Sequence, residues 1–379
     1  MSRRGREAGR RRTEGASVTA TRRLPAWGAW FIIGAMNWVW LRWLPGGIAA
    51  GTVRILLGAC WLMFCATVSL SAAPCVVVIT PHVDAIREEF GPGFAEWHRQ
   101  RYGEPAEVEW RFLGGTSDAL RFVRSEFSTK HEGIGIDCFF GGGLEPFLIL
   151  SEYGLALTNT PSPEILEGIP QNINGVDLYD PHHTWFGTAI SSFGILQNAR
   201  VQRVMQLPFV HRWEELAQPA LAGWVGAGDP RRSGTMAVMF ETFLQFFGWE
   251  RGWQILTQIG GNVRTFDRAS STTAKDVTLG ETACAFAIDF YGVTQVAYAG
   301  NSNLTFALAQ DFTALNPDCI NILKGAPHWT MAQRFVDFVL SEEGQRLWFL
   351  PKGHPEGPRK HAIERMSVRP DFYKRYRGE

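Results

Sequence analysis

CVVVITPHVDAIREEFGPGFAEWHRQRYGEPAEVEWRFLGGTSDALRFVRSEFSTKHEGIGIDCFF, residues 75–140, alternates three short apolar runs with two amphipathic ones. CVVVIT (75–80), VEWRFLG (108–114) and IGIDCFF (134–140) read as strands, because β-branched and aromatic residues crowd them. Between the first two, Ile86, Phe90, Phe94 and Trp97 recur at four- and three-residue spacing, the period of a helix with one buried face. A second helix is expected over 119–127. Connections of this length let successive strands pair in parallel, so the stretch opens an α/β fold.

The same alternation continues downstream. Residues 155–180 are rich in Pro, Asn and Gly and hold no period. TWFGTAISSFGILQN (184–198) reads as one long extended stretch. WVGAGDP (224–230), TACAFAIDFYG (282–292), LTFALAQ (304–310) and CINILKG (319–325) read as strands, with Asp289-Phe290-Tyr291-Gly292 closing the buried second one. Helices are expected at 235–247, at 249–259 and, as one continuous rod, at 331–349.

With 379 residues, 45% of them hydrophobic, the chain can fill two separate cores. Lys+Arg and Asp+Glu both number 37, so the balance gives no reason to expect nucleic acid as a partner. The basic exception is local: eight arginines stand in residues 1–23 against two acids, the composition of a solvated arm. ILLGACWLMFCATVSLSAAP (55–74) follows Arg54 and ends in small residues, the pattern of a secretory signal spanning 53–73. Translation is therefore expected to start near Val53. The rival reading makes the apolar run 27–41 a membrane anchor. Of six cysteines, Cys75, Cys138, Cys284 and Cys319 follow the signal, with no CxxC or His spacing. Buried free thiols are the expectation, not a zinc site.

Three clusters of Gly, Ser and Thr precede helices: Gly114-Gly115-Thr116-Ser117, Ser233-Gly234-Thr235 and Ser270-Ser271-Thr272-Thr273. Free amides and the positive end of the helix dipole make each an anion cradle, and ordinary capping needs the same residues. His82 follows Thr80-Pro81 at the C-terminal end of the first strand, the edge where open α/β sheets take ligands. Asp229-Pro230-Arg231-Arg232 puts two guanidinium groups before a helix, free for phosphate or paired with Asp229. No G-x-S-x-G elbow, P-loop or H-E-x-x-H is present, so these hydrolase, nucleotidase and zinc-protease chemistries have no sequence support.

Asp137-Cys138-Phe139-Phe140, the extended run 185–198, Asp229-Pro230 with Ser233-Gly234-Thr235, Ile288-Asp289-Phe290-Tyr291 and the helix FVDFVLSEEGQ (335–345) occur in an order that resembles periplasmic solute-binding proteins of ABC importers. The branch is that of ferric-ion, polyamine and phosphonate binders. The resemblance implies a two-lobed type II periplasmic-binding fold with crossing hinge strands. Lobe 1 would hold 75–186 and 300–350, lobe 2 would hold 187–299, and 351–379 would be a C-terminal tail. It implies a non-enzymatic, exported monomer that closes on a small anionic or iron-containing solute and serves an ABC permease and ATPase. The cleft would draw on His82, Gly115, Thr116, Ser117, Gly142, Ser191, Ser192, Asp229, Ser233, Gly234, Thr235, Asp289 and Tyr291. In the ferric branch a His, a Glu and two adjacent Tyr hold the metal. Here only His82 and Tyr291 match, because Phe290 stands at one tyrosine position and Gly141–Gly143 at the glutamate position, with only Glu145 nearby. Ferric ion as the transported ligand is the first expectation, and a phosphorylated or phosphonate solute the alternative. A membrane-tethered ligand sensor and an enzyme working through His82 and Asp289 are the more distant readings.

Overall fold

The computed structural model describes residues 73–300 and 303–378. The basic arm, the apolar run 27–41 and all of the signal but Ala73 lie outside the described residues. Among those described, no helix is long and apolar enough to cross a membrane.

The elements in chain order are β1 (Cys75–Ile79), α1 (Asp84–Tyr102), β2 (Glu107–Arg111), α2 (Thr116–Phe127), β3 (Cys138–Phe140), α3 (Glu145–Glu152) and β4 (Ala156–Leu157). A one-turn helix α4 (Pro163–Leu166) and a small hairpin, β5 (Asn172–Ile173) with β6 (Val176–Asp177), fill the region without period. Then come β7 (Phe186–Ser191), β8 (Phe193–Asn198), α5 (Ala199–Met205), β9 (Val225–Gly228), α6 (Gly234–Phe247), α7 (Trp249–Asn262), β10 (Val263–Asp267), α8 (Ser270–Leu279), β11 (Cys284–Ile288), α9 (Asp289–Ala299), β12 (Leu304–Leu308), β13 (Asn316–Leu323), α10 (Trp329–Leu340), α11 (Glu342–Phe349) and α12 (Phe372–Arg375).

Two sheets result. The first runs β2-β1-β3-β13-β4, with β7 also on β13; the second runs β10-β9-β11-β8-β12. β1, β2 and β3 pair in parallel, as do β9, β10 and β11, while the crossing strands pair antiparallel. Each sheet has its own core. Phe90, Phe94, Phe140, Phe335 and Trp348 fill one, and Trp213, Phe243 and Phe286 the other. The expected two lobes with crossing strands are present.

The crossings fall later than 186/187 and 300. The first is at Ser192, between β7 in one sheet and β8 in the other, and β12 stays with the second sheet before 309–315 lead back. Bulky residues such as Phe186 and Phe193 are buried on both sides of the junction, so burial pattern alone carries no mark of where the sheet changes. Residues 351–378 are no free tail. Ile363, Val368 and Phe372 are buried, Ile190 pairs with Met366, and Glu89 accepts the amides of Arg359, Lys360 and His361.

Two local expectations change. The rod over 331–349 breaks at Ser341, whose hydroxyl accepts from Gly344 N and so starts α11. Asp289-Phe290-Tyr291 opens α9 and does not close β11, because the Asp289 carboxylate accepts from Ser192 N and from Phe290 N at the first turn. The four cysteines described are free, three of them buried.

Candidate functional site

The parallel strands of both sheets end on one cleft of about 750 Å³ including its open mouth. Loop after loop reaches it from a strand's C-terminal end: Pro81–Val83 after β1, Phe112–Gly115 after β2, Gly142 and Gly143 after β3, Ser233 after β9, Ala269 after β10 and Ile288 from β11. This is the edge where α/β sheets bind ligands.

Three helices aim their N-termini into it: α2 from the first lobe, α6 and α8 from the second. They are 12, 14 and 10 residues long. Gly115 and Ala269 cap α2 and α8 without a side-chain bond, and Ser233 caps α6 through Met236 N. The first amides, those of Thr116, Gly234, Thr235, Ser270 and Ser271, donate to no protein acceptor among the described residues. None of the first turns of α6 and α8 carries an acid. The Ser233 and Ser270 hydroxyls bond each other at 2.6 Å, so one of the two protons is left to point elsewhere. Such an arrangement concentrates donors and positive dipole ends where an anion would sit.

The floor is ionic and buried. Asp318, at the start of β13, accepts from Gly142 N, Gly143 N at 3.0 Å, His82 Nε2 at 2.8 Å and Arg365 Nη1. Burial alone would raise its pKa, but the Arg365 charge and the His82 and Gly143 donors outweigh that and hold the carboxyl well below its usual range. Burial pushes the pKa of His82 down, against the opposing pull of Asp318, to whose carboxylate the ring donates from Nε2–H. Arg365, 3% exposed, bonds Ser191 Oγ at 2.7 Å and lies over the rings of Phe290 (4.2 Å) and Trp348 (4.8 Å). Its Nε has no partner. The glycines between are required: a Cβ on Gly141, at φ 95°, would sit 2.4 Å from the His82 ring, and one on Gly142 2.6 Å from Thr116.

Of the residues expected from sequence, His82, Gly115, Thr116, Gly142, Ser191, Ser233, Gly234, Thr235 and Tyr291 line this cleft. Ser117, Ser192, Asp229 and Asp289 do not. Ser117 N faces Arg232 O across the lobes, Ser192 and Asp289 bond each other at the crossing, and Asp229 is taken by Arg231, whose hydrogen bond brings its pKa down to about 2. His82 Nε2 is held by Asp318 while its Nδ1 has no partner, and burial pushes the Tyr291 phenol up to about 12. Glu145 is exposed and outside the cleft. Among the described residues no three His, Cys, Asp or Glu gather to hold a metal. Sequence reasoning missed Asp318 and Arg365. Ile363, Arg365 and Ser367 alternate as buried residues in the supposed tail, but two of the three are polar, so no apolar period in the sequence marks the run.

The sequence profile of bacterial extracellular solute-binding proteins matches residues 155–358, more than half of the chain. Over 262 residues the chain is 28% identical to the phosphoglycerate transport regulatory protein PgtC of Salmonella typhimurium, covering 68% of this chain and 62% of that one. The chain thus spans about three fifths of that curated relative's length. Among solved structures, the periplasmic binding protein AfuA of Actinobacillus pleuropneumoniae with fructose-6-phosphate bound superposes with a TM-score of 0.62 at 22% identity, over 72% of this chain and 81% of that one. The apo ferric ion-binding protein A of Pasteurella haemolytica gives 0.59 at 16% identity, over 79% and 86%. At these identities the structural likeness is one of fold, and it matches the two-lobed periplasmic-binding architecture.

Proposed function

The chain belongs to the bacterial extracellular solute-binding proteins, and we propose that it is the ligand-binding subunit of an ABC importer that closes on a small phosphorylated organic anion. The observation that carries this is the convergence of three helix N-termini from both lobes, with acceptor-free amides at Thr116, Gly234, Thr235, Ser270 and Ser271. A phosphate between them ties lobe to lobe, because α2 belongs to one and α6 and α8 to the other. The names of two similar proteins favour the same ligand class, one a phosphoglycerate transport protein and one holding fructose-6-phosphate. Ferric ion fits the donors poorly. A hard trivalent cation wants several anionic oxygens, and the carboxylate in the cleft, Asp318, already accepts four bonds.

The protein's part in the cycle is mechanical. The open cleft admits solute, the anion replaces water on the amides, and closure seats Gly115 against the backbone of Arg232. The permease and ATPase then meet the closed form. Replacing Ser233 and Thr235 together by Ala should weaken binding of phosphorylated compounds by about 1–3 kcal/mol, from lost charge-assisted hydrogen bonds. Calorimetry that shows unchanged affinity removes the Ser233 and Thr235 hydroxyls from the cradle.

The word "regulatory" in the Salmonella relative's name favours a second reading, in which the closed form reports solute to a membrane partner. Deleting the gene separates the two. Lost uptake of the solute indicates the importer, and intact uptake with lost induction of a transport system indicates the sensor.

A further inference from the structure

The cleft has a second anchor, and it reads the other end of the ligand. We infer that Arg365 is a specificity-determining residue that receives a carboxylate, so that the solute class is a phosphorylated acid and not a phosphorylated polyol or an amine. This rests on the reading that the helix N-termini take a phosphate.

The floor of the cleft offers more donors than free acceptors, and the unpartnered acceptor there, His82 Nδ1, is neutral and not anionic. All four lone-pair positions of Asp318 are used, by two backbone amides, His82 and Arg365, which leaves it no capacity to receive an ammonium or a hydroxyl. Asn316 spends its Oδ1 on Leu144 N and keeps its amide donors. Arg365 is buried among apolar rings, yet its Nε–H has no acceptor, although it lines the cleft. Stacking between Phe290 and Trp348 holds the guanidinium plane in one orientation, and the packed segment 363–368 holds the backbone behind it. A planar fork fixed in this way matches a carboxylate far better than a single hydroxyl. Phe290 comes from α9 in the second lobe, so this anchor too is complete only with both lobes together.

The test is calorimetry on the purified full-length chain with 3-phosphoglycerate and glycerol 3-phosphate, which share the phosphate and the three-carbon frame and differ in carboxylate against CH2OH. The expected result is at least about tenfold tighter binding of the acid, the fold-change of one charge-assisted pair. Arg365→Lys keeps the charge but loses the fork, and should bring the ratio of the two affinities down toward one. Equal affinities in the unsubstituted protein overturn the second anchor and leave the phosphate cradle standing. A variant that loses both ligands alike also overturns it, since Arg365 then only supports Asp318. Binding of neither compound overturns the cradle as well. Should Arg365→Lys fail to fold by circular dichroism, Arg365→Gln, which keeps a planar donor group without the charge, is measured in its place and carries the same two outcomes.

Discussion

Asp318→Asn tests how the floor of the cleft is held. The change is isosteric: Asn keeps an oxygen for Gly142 and Gly143, but presents an amide to His82 and Arg365. The partners are almost wholly buried, with side-chain exposures of 1% for Arg365 and 7% for Asp318. Neutralising one member of a buried pair strands the other charge and typically costs about 3–5 kcal/mol. The lower end applies here, because Arg365 keeps Ser191 Oγ and its two aromatic faces, and a desolvated cation–π contact is worth about 2 kcal/mol. The expected loss is thus roughly 3 kcal/mol. Arg365→Met should cost less, about 1–3 kcal/mol, since Asp318 keeps the Gly142, Gly143 and His82 donors. The double variant should be more stable than Asp318→Asn alone, because no orphaned cation remains. Urea unfolding of the full-length, ligand-free chain, followed by tryptophan fluorescence at pH 7.5, measures all three. A loss below about 1 kcal/mol for Asp318→Asn, or a double variant equal to the sum of the singles, refutes the reasoning.

Other positions give independent checks. Gly115→Ala would put a Cβ 2.5 Å from Arg232 O, so closure should be hindered by about 1–3 kcal/mol, and small-angle scattering should show less contraction with ligand than in the unsubstituted protein. Asp337, raised to about 6 by burial, holds a proton in the folded state that the unfolded chain releases near its usual 3.8. That stabilisation is lost as pH rises between these values. Asp337→Asn should therefore add about 1 kcal/mol at pH 7.5, allowing for solvent screening, and nothing at pH 4, which thermal unfolding at the two pH values reads directly. Glu89→Ala removes the carboxylate that accepts three successive amides, and hydrogen exchange over 354–369 should quicken with a loss of about 2–3 kcal/mol.

Much of this architecture was legible because apolar periodicity reports burial directly. β1, α1, α6 and the crossing stretch of β7 and β8 need nothing beyond their own residues to be recognised. The three helix starts were legible as Gly/Ser/Thr clusters, though sequence could not tell a capped helix end from a ligand cradle. That distinction lies in convergence, a tertiary property. TACAFAIDFYG was misread because a short apolar run fits a strand or a buried helix start equally well, and the Ser192 partner that fixes Asp289 at the helix start is 97 residues away. Asp318 and Arg365 stayed hidden for the same reason. Arg365 meets Ser191 across 174 residues and Asp318 across 47, and no local pattern announces a charge that will be buried.

The most direct test of the phosphate cradle is native mass spectrometry of the full-length chain, purified without chelator, before and after the Ser233→Ala/Thr235→Ala change. A small organophosphate carried by the unsubstituted protein and lost from the variant is the predicted result. An iron adduct with a visible charge-transfer band that disappears in Tyr291→Phe, with no organophosphate, would contradict it.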